Sequence, residues 1–327
     1  MAGGELLSEL VRAHFADEST RFDTILNQVI AAEARAGHTQ VAHRLRELRD
    51  AGAAPHVDPD RRLSRAIPLA RTTKPLGEVV EIGYSDVHLR DLILDPTLMG
   101  RLETLIVEQR KRVLLEEHGL KPRRKVLLHG PPGTGKTMTA YALAGELGLP
   151  VARVRLEVLF SRYLGETAST LAEIFAEAGR LRAVYLFDEF DALGSQRTET
   201  GDVGEMRRIV STFLQLLDAD KSESIFVAAT NVASHLDGAL FRRFDDVLEY
   251  ERPTEASREI LLSRGLRASR FSKAAVSRLA ALAADLSLAD MAAAIDEARK
   301  AAVLDGRSSA MESEIRSALI NKSPRKF

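Results

Sequence analysis

One eight-residue segment, Gly130 to Thr137, constrains the fold of this chain more than any other feature. Its sequence satisfies the pattern G-x-x-x-x-G-K-[ST], and it stands between a strand pattern at Lys125–Leu128 and a helical pattern at Thr137–Leu147. Glycines let backbone N–H groups wrap a phosphate chain, and the helix that follows adds unpaired N–H groups and a positive dipole end. The segment therefore predicts a phosphate-binding loop. Its predicted members are Gly130, Pro131, Pro132, Gly133, Thr134, Gly135, Lys136, Thr137 and Met138.

Lys136 and Thr137 of the phosphate loop, together with the two acidic residues Asp188 and Glu189, form a candidate nucleotide site. We expect Lys136 to reach the β- and γ-phosphates and the Thr137 hydroxyl to ligate Mg²⁺. The apolar run Val184–Phe187 ends in Asp188 and Glu189, at the strand end where open α/β sheets place their ligands. Asp188 is suited to hold Mg²⁺ through its water shell, and Glu189 to polarise an attacking water. Alone, two acids after a strand also fit a solvated turn; combined with the phosphate loop they favour catalysis.

The order of the remaining elements predicts an α/β fold of the P-loop NTPase type. Strand candidates are Val126–Leu128, Val151–Val154, Ala183–Phe187, Ile225–Ala229 and Val247–Tyr250. A helical pattern at Pro96–His118 precedes the first strand candidate, and further helical patterns between the strands cover Thr137–Leu147, Ser169–Arg180 and Glu205–Leu217. Buried strands that alternate with helices predict a five-stranded parallel sheet covered on both faces. Four helical patterns then predict a C-terminal lid: Thr254–Ser263, Lys273–Ala284, Leu288–Leu304 and Ser309–Ile320.

The 327 residues divide into four predicted regions. Residues 1–52 show apolar spacings of three and four, which predict a small three-helix unit that either binds a partner or client or serves only oligomerisation. Residues 53–75 carry four prolines and a short basic run, which is either a solvated tether or a contact for an acidic surface. Residues 76–252 form the predicted α/β body, and residues 253–327 the helical lid.

Composition excludes several classes of protein. There is no cysteine, so disulfides, thiolate metal sites and a cysteine nucleophile are excluded. The 46 basic and 47 acidic residues give a net charge of −1, which does not favour nucleic acid as a partner. The sequence shows no signal-peptide pattern and no apolar run of about 18 residues, so we expect a cytoplasmic protein without a membrane partner.

Five motifs in their order resemble those of the AAA ATPases, over about Leu76 to Leu304. Besides the phosphate loop, the resemblance rests on Asp188–Leu193, Arg207–Ile209 with Phe213-Leu214, Ala228–Asn231 and Leu240–Asp245. The pattern is most similar to the polypeptide-remodelling branch that includes katanin and spastin. The resemblance implies a Mg²⁺-dependent ATPase (ATP phosphohydrolase) with ATP and Mg²⁺ as cofactors.

The resemblance also implies roles for residues outside the phosphate loop. Asn231 would be the sensor that contacts the γ-phosphate or the water, although an isolated Asn after a strand is usually a turn residue. Arg242 and Arg243 would enter the site of a neighbouring subunit in a homo-oligomeric ring of six, although isolated arginines more often form weak surface pairs. Tyr163 and Leu164 would form a pore loop that grips an extended polypeptide, where the alternative is burial in a core.

Two segments resemble the family's adenine-binding parts. Ser287–Met291 stands where the family usually has Ser-Gly-Ala-Asp, so Ala289 would contact the nucleotide, and Leu288 replaces the glycine. The absence of an arginine within Ser287–Met291 agrees with the remodelling branch, because clamp loaders and helicase loaders carry an arginine at this place in the lid. Ile93–Asp95 would border the adenine. A second, Gly-containing pore loop at 198–204 is as compatible with an ordinary flexible loop.

The resemblance is closest to stand-alone bacterial AAA ATPases, some of which are encoded beside a subtilisin-like serine protease and take part in phage defence. We therefore expect an ATP-driven ring that unfolds, remodels or translocates a protein client and that serves such a protease. Two alternatives stay open. One is a DNA-associated ATPase, such as a loader or transposition regulator, and the other is a nucleotide-controlled binding switch.

Overall fold

The computed structural model describes residues 65–66, 74–162, 166–190, 203–232, 238–266 and 271–323, and its centre is a β-sheet. Five strands correspond to the predicted ones: β3 Lys125–His129, β4 Val151–Val154, β5 Val184–Phe187, β6 Ile225–Thr230 and β7 Asp246–Glu249. They lie in the order β4-β5-β6-β3-β7, and every neighbouring pair is parallel. All residues of β5 and β6 are buried, as expected of strands covered on both faces. The five predicted parallel strands are confirmed, but the prediction that the sheet has only five strands is wrong.

Two further strands, absent from the sequence prediction, extend this sheet beyond β4. Strand β2, Val80–Tyr84, pairs antiparallel with β4, and strand β1, Arg65–Ala66, pairs antiparallel with β2. The sheet of the described residues is therefore mixed and seven-stranded. Glu81 and Gly83 interrupt the apolar pattern of β2, which explains why a search for buried apolar runs overlooks it. Strand β1 falls inside the segment predicted as a linker, while the predicted three-helix unit at 1–52 lies outside the described residues.

Helices cover both faces of the sheet. In the body they are α1 Lys74–Val79, α2 Pro96–Arg110, α3 Arg112–Glu117, α4 Lys136–Leu147, α5 Leu156–Arg162, α6 Thr167–Ala178, α7 Val203–Ala219 and α8 Gly238–Phe241. One core joins α6 and α7 to the sheet and is rich in aromatic rings; the Phe175 and Phe226 rings stack at 4.9 Å between centroids. The other core joins α2 and α4 to the opposite face through buried leucines such as Leu102 and Leu143.

The helical pattern at Pro96–His118 forms two helices instead of one. Asp95 caps the start of α2 by accepting a hydrogen bond from the Thr97 N–H at 2.8 Å, and Pro96 occupies the first helical position. The interruption falls at Lys111, whose φ and ψ of −102° and 22° are not helical. The residues of α3 are not buried, so no core packing favours one continuous helix over the two observed helices.

An ionic cluster fastens α2 to the sheet. The Arg123 guanidinium, just before β3, donates to the Glu108 carboxylate of α2 at 2.8 Å and to Asp246 of β7 at 2.8 Å. Arg101 of α2 pairs with the same Asp246, which is only 6% exposed. The hydrogen bond from Arg123 holds the pKa of Glu108 below its ordinary value of 4.5. These charges are therefore mutually satisfied at neutral pH.

Four helices after β7 form the lid, as predicted. Their bounds are α9 Glu255–Gly265, α10 Lys273–Leu282, α11 Leu288–Leu304 and α12 Glu312–Lys322. They share a separate apolar core, and side chains cap three of them at Thr254, Ser272 and Ser287. None of the helices in the described part of the chain is long and apolar enough to span a membrane.

Candidate functional site

Three glycines shape the loop between β3 and α4. Gly130, Gly133 and Gly135 have φ angles of 140°, 72° and 103°, a range that residues with a side chain rarely adopt. An added Cβ at Gly130 would also lie 2.9 Å from the carbonyl carbon of Tyr250, which follows β7. The loop conformation therefore depends on glycine at these positions, and it leaves the backbone without side chains where a phosphate chain would approach.

The start of α4 is built to attract an anion. Gly135 precedes the helix and provides no side-chain cap, and the N–H groups in the first turn of an α-helix have no acceptor within the helix and favour an anion. The Lys136 side chain is buried beside them, and its ammonium donates to the carbonyl oxygens of Gly130 at 2.8 Å and Pro131 at 2.7 Å. Donors and positive charge thus converge at one end of the helix.

The other predicted loop residues support this conformation. The buried Thr134 hydroxyl donates to the Pro131 carbonyl at 2.9 Å, which closes the loop on itself. Pro132 is exposed. Met138 packs against the α2 side of the core, so its backbone, not its side chain, is available to a ligand.

The structure brings the two predicted metal-binding residues together. The Thr137 hydroxyl, at the start of α4, donates to the Asp188 carboxylate, at the end of β5, over 3.0 Å. A hydroxyl and a carboxylate are hard oxygen donors of the kind that Mg²⁺ prefers. Because both groups lie beside the phosphate loop, they fit a Mg²⁺ ion that accompanies a nucleoside triphosphate.

Glu189 follows in a conformation that is unusual for a residue with a side chain. Its φ is 53°, in the left-handed region. The Asp188 carboxylate accepts a hydrogen bond from the Glu189 N–H at 3.0 Å, and the Phe190 N–H donates to the Ala229 carbonyl of β6 at 2.8 Å. These bonds hold the turn across the end of the sheet and leave the Glu189 side chain exposed.

Asn231 lies at the end of the neighbouring strand. Strands β5 and β6 are parallel neighbours, so Glu189 and Asn231 follow the same edge of the sheet. The last residue of β6, Thr230, accepts the Gly130 N–H of the phosphate loop at 3.3 Å through its carbonyl oxygen. The Asn231 side chain is exposed next to this contact, at the edge that also carries Asp188.

Arg242 and Arg243 lie in the turn between α8 and β7, and both side chains are exposed. Arg243 forms an ion pair with Asp218 of α7. No contact between either arginine and the phosphate loop occurs among the described residues. The structure therefore places both guanidinium groups on the surface of their own subunit.

The start of lid helix α11 touches the phosphate loop directly. The Ala289 N–H donates to the Gly133 carbonyl at 3.2 Å, and an added Cβ at Gly133 would lie 2.7 Å from Ser287 Cβ. Ser287 caps the helix together with Asp290. A cavity of about 380 Å³, lined by both polar and apolar residues, opens here between the loop, Arg252 and Asp285.

A second cavity, of about 480 Å³, lies between the body and the lid and has an apolar wall. Ile93, Leu94, Ile260 and Leu288 line it, and Thr134 connects it to the phosphate loop. A volume of this size is typical of small-molecule sites. The leucine that replaces the family glycine thus faces a cavity that Ile93–Asp95 also borders.

Tyr250 is a site residue that the sequence analysis did not single out. Its buried hydroxyl donates to the Thr139 hydroxyl at 2.6 Å, and Thr139 in turn donates to the Gly135 carbonyl at 3.1 Å. Burial raises the pKa of the Tyr250 hydroxyl well above its ordinary value. A hydrogen-bonded chain therefore joins the start of the lid connection to the phosphate loop. The sequence shows only that an apolar strand candidate ends in this tyrosine. Its partner, Thr139, is too distant in the chain to be inferred from the sequence.

The predicted pore-loop residues lie outside the described residues. Helix α5 ends at Arg162, immediately before Tyr163 and Leu164, and the description resumes at 166. The possible second pore loop at 198–204 falls largely outside as well. Both assignments stay predictions.

Fold and site together are those of an α/β protein in which a phosphate loop lies beside a helical lid, an arrangement that fits a nucleoside triphosphate. Residues 126–252 match the family model for AAA, "ATPase family associated with various cellular activities". The chain is 33% identical over 330 residues to an uncharacterized AAA family ATPase, y4kL, of Sinorhizobium fredii, and the match covers 100% of this chain and 97% of that protein. The chain belongs to the AAA ATPase family.

Other relatives share only part of their length with the chain. Proteasome-activating nucleotidase 1 of Halobacterium salinarum is 32% identical over 246 residues, which are 73% of this chain and 60% of that protein. A nuclear valosin-containing protein-like protein of Mus musculus is 34% identical over 58% of this chain, which is 23% of its own length. The FIGL-1 AAA domain has the same fold, with a TM-score of 0.63, 23% identity and coverage of 80% of this chain and 94% of that domain.

Proposed function

We propose that this AAA ATPase assembles into a hexameric ring and uses ATP to unfold, remodel or translocate a protein client. The main support for ATP hydrolysis is the contact between Thr137 and Asp188 beside the phosphate loop, with Glu189 next in sequence. Support for a protein client comes from the relatives, one of which is named a proteasome-activating nucleotidase.

In this proposal each residue of the site has one task. Lys136 leaves the loop carbonyls to contact the β- and γ-phosphates, while the helix N–H groups hold the phosphate chain. Thr137 and Asp188 hold Mg²⁺, which when bound neutralises charge on the phosphates. The Glu189 carboxylate accepts a proton from the attacking water, and Asn231 orients that water from the neighbouring strand end.

The arginines make catalysis depend on assembly. Arg242 and Arg243 are exposed on their own subunit, so they are available to the active site of a neighbour. An arginine finger supplied in this way accelerates phosphoryl transfer by about 10³ to 10⁵. We therefore expect an isolated subunit to bind ATP and hydrolyse it slowly.

The client is proposed to pass through the ring. Tyr163 and Leu164 would grip an extended polypeptide, because an aromatic and an aliphatic side chain contact any sequence without reading it. Membership of the katanin and spastin branch, a subtilisin-like protease partner, a role in phage defence and a cytoplasmic location are the finer parts of this proposal, and they rest on sequence resemblance.

A mixing experiment tests the trans arrangement. One variant, Lys136→Ala, keeps its fingers but loses its site, and the double variant Arg242→Ala/Arg243→Ala keeps its site but loses its fingers. Each should release phosphate at no more than about a hundredth of the wild-type rate, and mixed subunits should regain activity. Arg299→Ala, which removes an exposed arginine side chain of lid helix α11, is the matched control and should retain full activity. Unchanged turnover in the finger variant, or no gain on mixing, would refute shared sites.

A second experiment tests the client. Glu189→Gln should bind ATP and assemble but not hydrolyse the nucleotide. Clients should therefore stay bound to this variant when it is purified by affinity capture in the presence of ATP. Tyr163→Ala should hydrolyse ATP but lose ATP-dependent unfolding of a peptide-tagged substrate. Intact unfolding by Tyr163→Ala would exclude the pore-loop assignment. Salt-dependent binding of duplex DNA with stimulated turnover would favour a DNA-associated ATPase instead.

A further inference from the structure

Arg264 links the lid to the body at a second point, far in sequence from the phosphate loop. It is in the last turn of α9, and its Nη1 donates to the carbonyl oxygens of Arg90, Asp91 and Leu92 at 3.0, 3.4 and 3.2 Å. These carbonyls belong to the 3₁₀ turn Leu89–Asp91 and the residue that follows it. Carbonyl groups at the end of a helical turn carry partial negative charge, so a guanidinium is the complementary partner.

The turn that Arg264 holds leads directly into one wall of the apolar cavity. Leu92 is buried, and the next residues, Ile93–Asp95, line the cavity. The opposite wall includes Ile260, which precedes Arg264 by four residues and so lies on the same face of α9. One helix face therefore supplies both a lining residue and the contact that holds the facing wall.

Two groups of hydrogen bonds cross from the lid to the body within the described residues. The first is the bond from the Ala289 N–H to Gly133, at the phosphate loop. The second is the set from Arg264, on the far side of the cavity. The first contact is local to the phosphates, whereas the second fixes only the walls between which a flat base would insert.

We propose that Arg264 is a positioning residue that preorganises the nucleobase pocket between the Ile93–Asp95 segment and the lid. This inference rests on the proposed nucleotide function and adds the residue that sets affinity for the base. Without the guanidinium, the two walls separate and the base loses its apolar contacts. The phosphate loop, which has its own lid contact, keeps its affinity for phosphates.

The two ligands ATP and inorganic tripolyphosphate separate these effects, because tripolyphosphate has no base. Calorimetric titration should show that Arg264→Ala binds ATP about tenfold more weakly, the change expected from the loss of a charge-assisted contact. Its affinity for tripolyphosphate should stay within about twofold of wild type. In steady state the KM for ATP should rise by a similar factor while kcat changes little. Arg264→Lys, which restores a cationic donor, should recover most of the ATP affinity.

Arg299→Ala is the matched control, since it removes an exposed lid arginine that pairs only within its own helix, with Asp296. It should bind both ligands as wild type does. Equal ATP affinity in Arg264→Ala, or equal weakening for ATP and tripolyphosphate, would overturn the proposal. If Arg264→Ala does not fold, Arg264→Gln and Arg264→Lys provide the same comparison of a neutral with a cationic donor. Wild-type protein that binds no ATP would instead refute the proposed function itself.

Discussion

Replacing Gly133 with alanine should destabilise the contact between the phosphate loop and the lid. At a φ of 72° the new side chain costs about 1 to 2 kcal/mol in backbone strain. Its Cβ would also lie 2.7 Å from Ser287 Cβ and 3.2 Å from Ala289 Cβ, and overpacking of this kind costs about 1 to 3 kcal/mol. We therefore expect Gly133→Ala to lower the free energy of unfolding by about 2 to 5 kcal/mol, as measured by urea denaturation without nucleotide.

A second substitution isolates the steric part. Ser287→Gly removes the crowded side chain and costs only a few tenths of a kcal/mol as a helix cap, so the double variant should recover about 1 to 3 kcal/mol. Gly135→Ala is the control: its φ is also positive, but no atom lies within 4 Å of an added Cβ. Ser287→Gly should not rescue it. A coupling energy between positions 133 and 287 below about 0.5 kcal/mol would refute the lid contact.

Three further predictions concern the site and its supports. Asp188→Asn should raise the Mg²⁺ concentration for half-maximal ATP turnover by about tenfold or more; an unchanged Mg²⁺ titration would remove Asp188 from the metal site shared with Thr137. Tyr250→Phe deletes one buried 2.6 Å hydrogen bond, so urea unfolding should show a loss of about 1 kcal/mol, and no loss would contradict its role. Because Arg123 lowers the pKa of Glu108, the carboxylate stabilises the fold above its ordinary pKa of 4.5 and loses this effect as pH falls through the lowered pKa. Glu108→Gln should thus cost about 0.5 to 1 kcal/mol at pH 7 and progressively less as the pH falls below 4.5, a trend that urea unfolding over a series of pH values measures.

The parts of the fold that follow from local sequence were predictable. The runs Val184–Phe187 and Ile225–Ala229 have no alternation of apolar and charged residues, because parallel strands are buried on both faces. The lid helix Leu288–Leu304 has the bounds that its helical pattern predicts. Most of the binding groups of the candidate site lie in one contiguous loop. The sequence pattern of that loop can therefore be recognised without knowledge of the fold.

Features that depend on distant contacts could not be inferred in this way. Strand β2 has a mixed pattern, and its pairing with β4 compensates for Glu81 and Gly83. The contacts of Arg264 with the turn at Leu89–Asp91, and of Arg243 with Asp218, join residues far apart in the chain. A lone arginine in a sequence does not identify its acceptors, since those are set by packing.

The left-handed backbone at Glu189 affects how substitutions there should be interpreted. Glycine is the residue that this φ of 53° favours, so Glu189→Gly would relax the turn by about 1 kcal/mol while it deletes the carboxylate. Glutamine retains both the shape and the strain. At this position the residue that best stabilises the backbone is therefore not the residue that supplies the carboxylate. A homologue that no longer needs to hydrolyse ATP would gain stability if glycine replaced this glutamate.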